Sequence, residues 1–276
     1  MPLDTRTSDP LTHDSQASSF HARLLAQVAA GTMLVAAATL YADGVYADSA
    51  PAPTLTVELG AAWQARNDAR IENEPPNTRF AIDEITGSGP YPAGRIAFEW
   101  SLAERHRLRL LAAPLRVDDT GISDRTIVFR DTMFGPGRVR AEYRFDSWRF
   151  GYRYVFHDSE RWTWSGGATL NIRDAEISLS QDGTRRSRSD TGFVPLLALV
   201  GEWRFAPGWR AVLDFEGLGA PQGRAIDATL QAGYDLTPSL HVSGGYRVLD
   251  GGADNDDIYT FARFDFAVLA LHWRFR

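Results

Sequence analysis

The densest run of chemically active side chains in this 276-residue sequence is Arg140, Glu142, Arg144, Arg149 and Arg153, interleaved with aromatic residues. Alternate residues of a strand share a face, so this spacing gathers guanidinium groups on one surface. Arg173, Glu202, Asp214, Glu216, Asp227 and Arg247 recur at the same kind of position in later segments, beside Arg204, Arg210, Gln231, His241 and Ser243. A face of this composition has two uses. Its arginines can pair with carboxylates, for which Glu58, Glu99, Glu142, Glu202, Asp214, Glu216 and Asp227 are available, and fill a small barrel with ion pairs. Alternatively they line a narrow watery passage that selects small polar or anionic solutes.

Several other chemistries are excluded. With no Cys there is no disulfide framework, thiolate metal site or Cys nucleophile. Twenty-nine Lys and Arg against 35 Asp and Glu give a net charge of −6, which argues against a nucleic-acid partner held by bulk charge. No Gly-rich phosphate loop, H-E-x-x-H or G-x-S-x-G occurs, so no cofactor is expected. Leu249 to Asp257 carries four Asp and one Asn, oxygens of the kind calcium takes. Their spacing departs from the calcium-loop ladder, and the segment reads as a solvated outer loop.

The elements that must position the charged face are strands. A mean hydropathy of −0.27 excludes a polytopic helical membrane protein, and from Thr54 onward the apolar pattern alternates with period two, as in Leu55, Val57, Leu59, Ala61 and Trp63. Strands are predicted over 54–64, 92–102, 107–117, 137–146, 148–156, 162–180, 192–205, 208–216, 225–236, 239–249 and 266–275, with a twelfth over 124–132. The apolar set is odd-numbered from Val139 to Phe145 and even-numbered from Trp148 to Phe156. That switch is what a two-residue hairpin at Asp146-Ser147 requires, and it would set Arg144 opposite Arg149 and Arg140 opposite Arg153. Short turns near 103–106, 134–137, 157–161, 206–208 and 237–239 then share one end. Loops 65–91, 118–123, 181–191, 217–224 and 250–265 share the other. The expected fold is an all-β, antiparallel, up-and-down transmembrane barrel of twelve strands, with ten or eight as alternatives.

Two arrangements fit an alternating barrel. A soluble, ligand-binding β-barrel puts the aromatic face inside and the charges in water. A membrane barrel inverts this. Aromatic residues at strand ends (Trp100, Phe145, Trp148, Phe205, Trp209, Tyr234, Tyr246, Trp273 and Phe275) favour the inversion, with Tyr143, Phe150 and Trp164 expected to face lipid. The basic flank ending in Arg23, the apolar run Leu24–Leu40 and small-residue sites at Ala47 and Ala50 make residues 1–47 a leader and secretory signal peptide, with the barrel domain over 48–276.

The last strand, Leu269-x-Leu271-x-Trp273-x-Phe275 followed by Arg276, resembles the terminal strand signal of Gram-negative outer-membrane β-barrel proteins. The resemblance implies residence in the cell outer membrane after export through the periplasm. It implies outer-membrane lipids and lipopolysaccharide as partners, with the basic stretch Thr184–Ser189 facing lipopolysaccharide phosphates, and barrel-assembly machinery for insertion. A second pattern, His157-Asp158-Ser159 with Asn171 downstream, resembles outer-membrane phospholipase A. It implies an alternative role as a lipid hydrolase, with His157 as base, Ser159 as nucleophile and Asn171 orienting the His. By turn parity, however, His157 and Ser159 fall in a periplasmic turn, whereas that family's site lies near the outer leaflet.

Overall fold

The computed structural model describes residues 52–275; the leader and signal peptide expected over 1–47 lie outside them. In chain order the elements are β1 (Thr54–Ile71), β2 (Phe80–Ala81), α1 (Ile82–Thr86), β3 (Tyr91–Ala103), β4 (His106–Ala113), β5 (Arg116–Ser123), β6 (Ile127–Phe129), β7 (Thr132–Phe134), β8 (Gly137–Asp158) and β9 (Trp162–Gln181). They continue as β10 (Thr184–Ala206), β11 (Trp209–Ala220), β12 (Gly223–Thr237), β13 (Leu240–Asp254) and β14 (Ile258–Arg274). Neighbours pair antiparallel in chain order, and β14 returns to β1 with Leu59 opposite Leu269, closing a barrel.

The ring has ten strands, not twelve. β4 and β5 count once, because β4 pairs with the second half of β8 and β5 with the first. Pro114 interrupts them without ending the ladder: Leu115 and Phe145 exchange backbone hydrogen bonds of 3.1 and 2.8 Å. The segment expected as a twelfth strand forms instead the small β6–β7 hairpin.

The second correction concerns Asp146-Ser147. No turn occurs there; β8 runs unbroken for 22 residues. What changes at that point is the surroundings of each face. Below it, even-numbered Trp148, Phe150, Tyr152, Tyr154 and Phe156 point outward and are exposed, while Arg149 and Arg153 are buried inside. Above it, Val139, Ala141 and Tyr143 are buried inside, and the outward positions are Arg140, Glu142 and Arg144. The barrel therefore has two storeys of opposite polarity. Its lower storey carries an apolar belt around a charged lumen, and its upper storey a polar outside around an apolar core. Phe150 faces out as expected; Tyr143 and Phe145 face in, against Phe264 and Leu115.

The start of β1, the end of β14 and four tight connections (104–105, 159–161, 207–208 and 238–239) lie at the lower end. The expected turn at 134–137 lies at the opposite, upper end. Segments 118–123, 181–191, 217–224 and 250–265, expected as loops, are largely strand. β9 and β10 run on to a two-residue turn, where Asp182 (φ 49°) and Gly183 (φ 80°) adopt the left-handed backbone that matches strand twist in a hairpin.

In two places the upper wall is not continuous strand. Between β1 and β5 the gap is filled by β2 and α1, whose Phe80, Ile82 and Ile85 join Phe129, Phe134 and Leu179 in the upper core. Gly121 allows this approach, since a Cβ there would lie 1.9 Å from the Ile85 backbone oxygen. Gly121→Val is accordingly expected to cost about 1–3 kcal/mol by overpacking, measured as a lower denaturant midpoint. The other discontinuity lies between β10 and β11, whose pairing stops at Leu197–Gly217. Above it, among the described residues, β10 residues 184–196 pair with β9 alone. Pro195, lacking an N–H, cannot donate to a ladder.

Candidate functional site

The lower lumen is crossed by an ion-pair lattice. Arg149 of β8 reaches Glu216 of β11 at 2.7 Å and Asp227 of β12 at 2.8 Å. Arg247 of β13 grips Asp227 with both arms of its guanidinium, 2.7 Å each. Arg153 contacts Asp214 (3.0 Å), Glu216 (3.1 Å) and Glu99 (3.6 Å), and Arg109 contacts Asp214 at 2.6 Å. Arg95 pairs with Glu58 at 2.7 Å, and the Gln231 amide donates to the same carboxylate at 2.7 Å. Five guanidinium groups (Arg95, Arg109, Arg149, Arg153, Arg247) thus meet five carboxylates (Glu58, Glu99, Asp214, Glu216, Asp227), and Arg107 adds a second contact to Glu99 at 3.6 Å.

The centre of the lattice is also dry. The side chains of Arg149, Glu216, Asp227, Arg247, Arg95 and Glu58 are each at most 8% exposed. The space between Arg95, Arg109, Arg149, Asp214, Glu216 and Asp227 admits no water-sized sphere. Charges this far from water hold one another strongly, but only while every member has its partner. Beneath the lattice, His272 bonds Thr56 (3.0 Å) and Ser243 (2.9 Å), while Arg210 reaches Asp235 and Glu202.

Of the sequence-predicted lumenal residues, Arg149, Arg153, Asp214, Glu216, Asp227 and Arg247 come together in the lattice. Glu202 faces inward near the lower mouth, paired with Arg204 at 2.7 Å. Arg173 faces inward in the upper storey, 2.6 Å from Asp190. Arg140, Glu142 and Arg144 do not line the lumen. They stand on the outer surface of the upper storey, where Arg140 pairs with Asp118, Glu142 with Arg185, and Arg144 with Asp174 and Glu176. Arg144 and Arg149 are therefore not opposed; they belong to one strand and face opposite ways. Sequence reasoning missed Arg95 and Arg109, although Arg107 and Arg109 alternate with Leu108 and Leu110.

Above the lattice lies a chamber of about 580 Å³. Its floor includes Arg149, Asn171 and Asp227, and its walls include Tyr143, Ile177, Leu196, Leu249 and Phe264. Arg173, Arg188 and Asp190 stand higher on the wall. The expected His157, Ser159 and Asn171 are not brought together. Ser159 sits in the lower β8–β9 turn, its hydroxyl donating to the Trp162 carbonyl at 3.1 Å. Asn171 is buried nine residues further along β9, roughly 30 Å of strand, where its side-chain oxygen accepts from Ser147 at 2.6 Å. In the same turn the Thr163 hydroxyl donates 2.7 Å to Asp158 and, with Arg204 nearby, holds that carboxyl below its ordinary range.

No protein-family model matches the chain, and no curated protein does. Among solved structures, it is similar to the outer membrane protease OmpT from Escherichia coli, at TM-score 0.48 and 10% identity over 85% of this chain and 100% of that one. It is also similar to Ail, the attachment invasion locus protein of Yersinia pestis (0.37, 10%, 80% and 99%), and to Neisserial surface protein A (0.35, 13%, 83% and 100%). The feature of this chain that decides its type is the lower storey, with rings outside and paired charges within. It is an outer-membrane-type barrel. At the barrel's lower edge an arc of outward aromatics crosses four strands: Trp162 to Trp203 (5.5 Å between centroids), Trp203 to Phe205 (5.2 Å), Phe205 to Trp209 (6.2 Å) and Trp209 to Tyr234 (5.1 Å). Trp63, Trp148 and Tyr246 are outward-facing and exposed elsewhere on the barrel's surface.

Proposed function

We propose that this chain is an integral outer-membrane protein whose barrel does not conduct, but is sealed at mid-lumen and holds a chamber toward the outside of the cell. Export by the signal peptide and insertion by barrel-assembly machinery belong to this reading, as do lipopolysaccharide and phospholipid as its surroundings. On β8 the belt runs from Trp148 to Phe156, roughly 26 Å of strand, or about 20 Å in height after a tilt near 40°, close to the ~25 Å apolar band of such barrels. The long upper storey then stands in water outside the bilayer, which accounts for its polar outer surface.

The observation that carries the sealed-lumen reading is the burial of the lattice. A passage wide enough for water would wet the groups lining it, and Arg149, Glu216 and Asp227 are dry. In planar bilayers the purified protein is expected to give no steady single-channel steps, while Arg149→Ala/Arg153→Ala, which deletes two large side chains from the lattice, gives small steps. Stable conductance by the unaltered protein would overturn the reading in favour of a solute-passing pore.

A further inference from the structure

Resting on that membrane reading, we infer that the upper chamber binds a single-chain amphipathic anion, of the fatty-acid type, admitted from the outer leaflet through the side opening between β10 and β11.

The opening is built by the backbone. Ladder bonds between these strands end at Leu197–Gly217, and beyond that point Val194 and Pro195 of β10 and Leu218 and Ala220 of β11 have no pairing with one another among the described residues. All four line the chamber, so the chamber reaches the gap. Outside, the β10 edge carries Phe193 and Leu197, which are 69% and 62% exposed. These residues extend the apolar belt up to the gap. A hydrocarbon tail moving sideways through it passes from lipid to apolar wall without crossing water, which is the favourable path for such a tail. The volume of about 580 Å³ lies inside the range of ~300–1,000 Å³ typical of small-molecule pockets.

The charge at this level selects the head group. Most arginines lining the chamber already hold a carboxylate: Arg149 with Asp227, Arg173 with Asp190, Arg224 with Asp250. Arg188 is the exception. It faces inward opposite Ile177, and among the described residues it has neither an ion-pair nor a hydrogen-bond partner. One acid of the lining, Asp257, also lacks an ion pair there; it lies on the β13–β14 turn, three strands further round the ring. A guanidinium above apolar walls binds a carboxylate by charge-assisted hydrogen bonds while the tail fills the space below.

The test uses the full barrel in phosphatidylcholine nanodiscs, with 11-(dansylamino)undecanoic acid as probe and its methyl ester as the uncharged control. Saturable binding above that of empty discs is expected. Arg188→Ala should weaken the acid about tenfold, the scale of one charged hydrogen bond, and leave the ester unchanged, while Arg188→Lys retains part of the affinity. Leu218→Trp, at the gap, should abolish binding of both. In stopped flow, the association rate should follow the mole fraction of probe in the bilayer. A rate that tracks aqueous probe instead overturns the side route, and equal binding of acid and ester overturns the role of Arg188. Incorporation without saturable binding overturns the inference alone; failure to incorporate into discs overturns the membrane reading and this inference with it.

Discussion

Asp227→Ala should destabilise the barrel by about 3–5 kcal/mol, the cost of stranding buried charge. Asp227 is held by Arg247 through two bonds of 2.7 Å and by Arg149 at 2.8 Å. Its removal leaves Arg247 with no carboxylate within 4 Å among the described residues, in a place that water does not reach. Chemical denaturation of the detergent-refolded protein, followed by tryptophan fluorescence, measures the loss. Asp250→Ala provides the contrast, because the Arg224–Asp250 pair sits at the upper rim with Arg224 43% exposed. That change should cost about 0–1 kcal/mol. Replacing both members of the inner pair, Asp227→Leu with Arg247→Leu, should recover part of the single-variant loss, since an apolar pair strands neither charge. Equal effects at Asp227 and Asp250 would mean that the lower lumen is wet.

The second large effect is expected on the outside. Leu269 is 70% exposed, paired with the outward Leu59, in the middle of the belt. At a water-facing position of that exposure, Leu→Arg would change stability by no more than about 0.5 kcal/mol. At the middle of a bilayer it should cost about 2–4 kcal/mol. Unfolding from liposomes distinguishes the two. Ser189→Arg, outward on the upper storey opposite Glu176, should be close to neutral in the same assay. A neutral Leu269→Arg would place the belt in water.

Period-two alternation made the barrel legible without a structure, along with the lower-end turns and most of the lattice. The strand count was not legible, for a reason that lies in β8. Alternation reports which residues share a face, but not which medium meets that face. At Asp146-Ser147 the outward face passes from charged side chains to the apolar belt as the inward face passes from apolar core to lattice. The aromatic set therefore changes parity with no turn in the chain. The same change of polarity made charged strand ends such as Thr184–Ser189 resemble loops. Arg149 and Arg153 face the lumen because they lie below the crossing. Arg140, Glu142 and Arg144, above it, share the composition but face the other way. Arg188, unpaired among the described residues, and the gap beside Pro195 depend on where two ladders stop, and a single strand's sequence does not encode its neighbour's length.

The absence of native Cys makes the most direct test clean. Single cysteines placed along the outward face of β8, at 138, 140, 142, 144, 148, 150, 152, 154 and 156, can be reacted in proteoliposomes with a membrane-impermeant maleimide. Labelling at the first four positions with protection from 148 through at least 154 is the predicted result. Uniform labelling down the strand would contradict the two-storey account, because the rings from Trp148 onward would then be meeting water.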